Sequence, residues 1–132
     1  MFDLHPRLAA DTALVADWAV SRVLLMNDAR YPWIVLVPRV AGAVELHDLT
    51  QPDRAVLLEE IVKTSERLKR LTGATKINVG ALGNLVSQLH VHVVARSPGD
   101  PAWPGPVWGH SPAVAYEAPV RDAFIQEFVN AR

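Results

Sequence analysis

Residues 33 to 37 read Trp-Ile-Val-Leu-Val between Pro32 and Pro38, with no polar side chain among them. A strand with one wet face alternates apolar and polar residues, and this run does not alternate. It predicts a strand covered on both faces, bounded where the prolines stop the hydrogen-bond ladder. A fold for this chain must therefore supply a layer of side chains above and below that strand.

The remaining elements say what those layers can be. Residues 49 to 73, LTQPDRAVLLEEIVKTSERLKRLTG, form the clearest helical pattern. Thr50 is placed to cap it, Pro52 suits its first turn, and Asp53 follows Thr50 by three as in a capping box. Val56, Leu57, Ile61, Leu68 and Leu71 fall on one stripe, and Gly73 can end it. Strands are predicted for SRVLLM (21–26), ending at the turn-prone Asn27-Asp28, for KINVGAL (76–82) and for QLHVHVVAR (88–96). The last two are joined by a turn at Gly83-Asn84. A weak helical pattern covers 6–18 through Leu8, Thr12, Val15 and Trp18, and a short helix is expected over 119–130 through Val120, Phe124 and Phe128. Between them, SPGDPAWPGPVWGHSP (97–112) holds five of the ten prolines and two of the four tryptophans. It cannot form a regular element, yet its tryptophans carry too much apolar area to hang in water, so it should pack as an ordered wall or lid. The order helix, strands, helix, strands, loop, helix predicts an antiparallel α+β domain.

Composition narrows the class. The 132 residues suit one domain, 1–132, at roughly 100–200 residues per domain. A net charge of −1 gives no electrostatic grip on nucleic acid or membrane. With no cysteine, disulfides, thiol catalysis and cysteine-ligated zinc are excluded. No stretch approaches the ~18 apolar residues of a membrane span, and the acids at Asp3, Asp11 and Asp17 break up any signal-peptide core. A soluble, cytoplasmic protein is expected.

QLHVHVVAR is where chemistry concentrates. On a strand, Gln88, His90 and His92 share one face and Leu89, Val91 and Val93 the other, successive polar groups standing roughly 6.6 Å apart. The apolar set must face the core, so the polar set faces a cleft or solvent. Three readings fit such a row. It can be a polar surface. It can be half of a metal site, since His-x-His points two imidazoles one way, but no acid follows His92 until Asp100 and nothing singles out His5, His47 or His110 as a third ligand. His5 is expected in a mobile N-terminal region and His47 in the loop before the long helix. It can also carry a nucleophilic imidazole for phosphorus chemistry, with a second imidazole and nearby amides as donors.

QLHVHVV resembles the signature of the histidine triad (HIT) superfamily of nucleotide hydrolases and transferases, His-φ-His-φ-His-φ-φ with φ apolar. KINVGALGN (76–84) is similar to the family's preceding strand and phosphate loop, and WIVLVPR (33–39) to its Pro-Arg-terminated strand. The likeness runs from about residue 20 to 96. Glutamine in the first triad position together with PAWPGPVWG (101–109) resembles a bacterial subgroup. The resemblance implies a HIT-like fold and a homodimer. It implies cleavage of a nucleoside 5′-monophosphate from a dinucleoside polyphosphate or nucleoside phosphoramidate, through a nucleotidyl-histidine on His90, or transfer of that group to another acceptor. It implies no resident cofactor, at most a divalent cation arriving with the substrate, and a nucleotide as the small-molecule partner. By position, His90 is the nucleophile, its other nitrogen donating to the carbonyl of residue 88. His92 contacts the phosphate and aids the leaving group, and Gln88 completes the catalytic row. Asn84 and Asn78 fall at the phosphates and Asn27 at the ribose; apart from the resemblance, the flexible backbone at Gly83 can offer donors and Trp108 a face on which a base can stack.

Three departures stand out. Gln88 replaces the first histidine, Trp33 stands where the family often has histidine, and Leu85 replaces a small hydroxyl residue. Trp33 either fills the space of the missing imidazole or stacks on a base; Trp103 and Trp108 are either wall residues or stacking platforms. The alternatives are a nucleotide-binding sensor with little turnover and a His-x-His metal protein.

Overall fold

The computed structural model describes residues 1–131. Five strands form one antiparallel sheet in the order β1-β2-β3-β5-β4. They are β1 (Thr12–Asp17), β2 (Ser21–Met26), β3 (Trp33–Pro38), β4 (Lys76–Gly80) and β5 (Val91–Arg96). The helices are α1 (Pro6–Asp11), α2 (Gln51–Thr72) and α3 (Ala118–Asn130), with a 3₁₀ turn at Leu46–Asp48.

β3 is central, and all six of its residues are buried, as its unbroken apolar run requires. Its inward faces part cleanly. Ile34 and Leu36 join Val23, Leu25, Val91 and Val93 beneath α2 and α3. Trp33, Val35 and Val37 join Leu24 and Val94 beneath α1 and the proline-rich tail, through Leu8, Ala102 and Val107. Each such side chain contributes about 1.5–3 kcal/mol when fully buried, so the register is strongly fixed. That same register sets Val35 opposite His92 and Trp33 opposite Val94, and so assembles the histidine face.

The N-terminal pattern is corrected. Residues 6–18 are not one helix: α1 ends at Asp11 and β1 begins at Thr12. The β1–β2 register skips Val15 between Leu14 and Ala16. This bulge breaks the two-residue alternation and gives the sequence its false helical spacing. His5, expected in a mobile N-terminal region, has a defined role instead: its Nδ1 accepts from Arg7 N at 3.0 Å and caps α1. His47 lies in the 3₁₀ turn.

α2 begins and ends as expected: Thr50 Oγ1 accepts from Asp53 N at 3.2 Å, and Gly73 adopts φ 66°. Its buried stripe is Leu57, Glu60, Thr64 and Leu68, while Val56 is exposed. Glu60 takes an inner position because its carboxylate accepts from Val20 N and Ser21 N at 3.0 and 3.1 Å, closing the β1–β2 turn. In α3, Phe128 is buried and Val120 faces outward. KINVGAL stops pairing at Gly80, and QLHVHVVAR starts pairing only at Val91.

The tail is the ordered wall its tryptophans demanded. Arg96, at the end of β5 and 1% exposed, donates to both Asp100 oxygens at 2.8 and 3.0 Å and to Gly105 O at 2.7 Å. Asp100 also accepts from Ser97 N and Trp103 N. An ion pair buried this deeply holds only because the remaining donors and acceptors are satisfied.

Candidate active site

His90 and His92 project to the same side, their ring centroids 4.9 Å apart at 71°. Nδ1 of His90 lies 2.7 Å from the carbonyl oxygen of Gln88. A carbonyl only accepts, so Nδ1 carries the hydrogen and the neutral ring leaves its lone pair on Nε2. His92 is in the opposite state. Trp33 Nε1–H donates to its Nδ1 at 3.0 Å, which must then be bare, so the proton of the neutral ring sits on Nε2. Burial first, and the neighbouring His90 second, lower the His92 pKa from the ordinary 6.5 to about 4. With both rings neutral, the pair therefore presents one Nε2 as an acceptor and nucleophile and the other as a donor.

Packing enforces this. Gly80 stands opposite His92 on β4, and a Cβ there would come within 3.2 Å of Trp108 Cη2. The missing side chain lets the Trp108 indole lie edge-on to His92, centroids 5.5 Å apart, with Trp33 on another side at 5.6 Å.

The histidines open into a cleft of about 500 Å³. Its walls include Trp33, Trp108, Leu8, Met26 and the Leu82–Val86 loop, with Arg7, Asp11, Asp28, Arg30 and Ser111 as the polar rim. A second cavity of about 320 Å³ also reaches His90 and Gly83 and is lined by Glu45, His47, Ser87 and Gln88. His90 stands where the two meet.

The expected site residues divide. His90, His92, Gly83, Asn84 and Trp108 all line the larger cleft, and Gly83 holds φ +71° in its loop. Gln88 does not line it; its carboxamide is turned to the N-terminal segment, accepting from His5 N and donating to Asp3 O, both at 2.8 Å. Asn27 is outside that lining, with Oδ1 accepting from Tyr116 N at 2.9 Å, and its neighbour Asp28 lines the cleft instead. Asn78 is on the His92 side of the sheet, but its Oδ1 accepts from Arg96 at 2.8 Å. Leu85 is 82% exposed at the cleft mouth. Arg7, Asp28, Arg30 and Ser111 were not anticipated; none belongs to a motif, and only the fold brings residues 7, 30 and 111 to one rim. Trp33 has a role beyond filling space, as the donor to His92. Among the described residues no group of three His, Cys, Asp or Glu side chains is arranged to hold a metal ion.

A five-stranded antiparallel sheet, one long helix and a buried His-x-His strand at a cleft define a HIT-like fold. The chain belongs to the HIT domain family, whose model matches residues 7–99. A histidine triad protein from Bradyrhizobium japonicum is 46% identical, with 98% of this chain and 97% of that one covered and a TM-score of 0.96. One from Sinorhizobium meliloti 1021 is 44% identical, with 99% and 97% covered and a TM-score of 0.97. One from Marinobacter aquaeolei VT8 is 47% identical, with 98% and 94% covered and a TM-score of 0.93. No curated protein matches the chain. Membership supports nucleotide binding and hydrolase- or transferase-type activity as a general class, a class that also includes non-catalytic members.

Proposed function

We propose that the chain is a nucleotide hydrolase that cleaves a nucleoside 5′-monophosphate from a phosphoanhydride or phosphoramidate through a nucleotidyl-histidine on His90. The observation that carries this reading is the 2.7 Å contact from His90 Nδ1 to the Gln88 carbonyl, which leaves Nε2 as a lone pair at the cleft. Nε2 bonds to the α-phosphorus as the bond to the leaving group breaks, and the leaving group departs with a proton drawn from solvent, to which the hydrolytic water of the second step returns one. The carbonyl of Gln88 offsets the positive charge that develops on the ring. Nε2–H of His92 donates to the phosphate side, joined by the Gly83-Asn84 loop. Water then cleaves the phosphorus–nitrogen bond and returns His90 to its neutral form; a different acceptor in that step would make the chain a transferase. A base can stack on Trp108, as aromatic faces tolerate any base. The ribose and phosphate contacts expected of Asn27 and Asn78 are not carried into this reading, since both side-chain oxygens already have partners.

The reading includes a cytoplasmic homodimer. β4 is an edge strand with Val79 half exposed, an edge that a second copy can extend. Among the described residues no helix is long and apolar enough to cross a membrane.

The test is turnover of diadenosine tetraphosphate and of adenosine 5′-phosphoramidate, with and without chelator, beside His90→Ala. Turnover that survives the chelator and is abolished in His90→Ala supports the proposal. Activity unchanged in His90→Ala refutes it, and tight binding without turnover assigns the chain to nucleotide sensing.

A further inference from the structure

A site for a phosphorylated substrate needs positive charge, and His92, held neutral, does not supply it. Among the described residues, the cleft lining holds two cations, Arg7 and Arg30. Arg30 is committed: Nη2 and Nε lie 2.8 and 2.9 Å from the Asp28 carboxylate, and Nη2 also donates to Ser111 O at 3.2 Å. Arg7 reaches Asp11 only at 3.8 Å, with the two side chains 59% and 56% exposed. An exposed pair at that distance is weak and easily exchanged for a better anion.

What brings Arg7 to the cleft is Gln88. Helix α1 has six residues and buries only Leu8, so it cannot hold its own place. The Gln88 carboxamide donates to Asp3 O and accepts from His5 N, both at 2.8 Å. These two backbone groups flank Leu4, as the partners of one residue do in a parallel ladder, and the side-chain amide substitutes for a strand neighbour. His5 then caps α1 through Nδ1 and Arg7 N at 3.0 Å. An imidazole at 88 cannot make the same clamp, because its donor and acceptor nitrogens diverge across the ring while those of a carboxamide lie side by side.

We propose that Arg7 is a substrate-binding residue that holds the phosphate oxygens in the cleft, and that Gln88 is the positioning residue that delivers it. The inference rests on the nucleotide-hydrolase reading and gives the departure from the triad a purpose: the first position exchanges an imidazole for a clamp on a binding arginine.

Steady-state kinetics on adenosine 5′-phosphoramidate and calorimetric binding of AMP test it, in wild type, Arg7→Met, Gln88→Met and the double variant. Loss of one charge-assisted hydrogen bond should raise KM and the AMP Kd about tenfold in Arg7→Met, with kcat within about twofold. Gln88→Met should raise KM similarly, and the double variant should be no worse than either alone, because both remove one contact. Gln88→His should fail to restore KM. Unchanged KM and Kd in Arg7→Met, beside an active wild type, overturn the inference alone. Multiplying effects in the double variant overturn the positioning role. Wild type that neither binds AMP nor turns over substrate overturns the underlying reading as well. Arg7 is exposed, so its variant carries the test even if Gln88→Met fails to fold.

Discussion

Trp33 donates its indole hydrogen to Nδ1 of His92 at 3.0 Å, and this contact decides which nitrogen of His92 faces the cleft as a donor. The contact is invisible in either residue alone. It arises because the β3–β5 register seats Val35 opposite His92, with Trp33 two residues along the same face.

Trp33→Phe keeps an aromatic ring and removes the donor. His92 Nδ1 becomes a buried acceptor without a partner, at a stability cost of about 1–3 kcal/mol. Its proton is then shared between both nitrogens, and kcat should fall about tenfold, the equivalent of one hydrogen bond. Nitrogen-15 shifts of the imidazoles check the tautomer directly; an unchanged His92 tautomer would show that Trp33 only fills space.

The depressed His92 pKa also predicts how stability follows pH. The unfolded ring titrates near 6.5 and the folded one near 4, so between these values the unfolded chain binds more protons. Stability is therefore full above about pH 6.5 and is lost as pH falls toward 4, by on the order of 3 kcal/mol. Urea unfolding across this window should show a shallower dependence in His92→Asn than in wild type. Equal slopes would mean that His92 is free to charge in the folded state.

The tail depends on one ion pair. Asp100→Ala leaves the guanidinium of Arg96 buried without its carboxylate, which costs about 3–5 kcal/mol. A fall in Tm, with red-shifted emission from Trp103 and Trp108, is expected. Because Trp108 walls the cleft, AMP affinity should fall with it.

Glu60 offers a counterintuitive case. Glu60→Leu places an apolar residue on the buried stripe of α2, yet it strands the amides of Val20 and Ser21. Destabilisation of about 2–6 kcal/mol is expected, since each of the two unpaired donors costs about 1–3. Denaturant unfolding that found the variant more stable would contradict the role given to this carboxylate.

Strand and helix periodicities made most of the architecture legible: β3 as a doubly covered strand, α2 with both caps, and the face shared by His90 and His92. What sequence concealed has a common cause. Val15 sits in a bulge, so its alternation was lost, and Glu60 is polar where the helix buries its stripe. The cleft rim joins Arg7, Arg30 and Ser111, which no local pattern relates. Asn27 and Asn78 had plausible positions along the chain, but Tyr116 and Arg96, distant in sequence, engage their carboxamides. Gln88 could be read as a lost imidazole; that its side chain grips residues 3 and 5 depends on contacts more than 80 positions apart.

The proposed mechanism stands on attack of His90 Nε2 on phosphorus. Rapid mixing of the protein with adenosine 5′-phosphoramidate, quenching in base to preserve phosphorus–nitrogen bonds, and peptide mass spectrometry test it most directly. A single adenylyl group on His90, appearing within one turnover and absent from His90→Gln, is expected. Turnover with no adduct at any time, or an adduct on His92 instead, would contradict it.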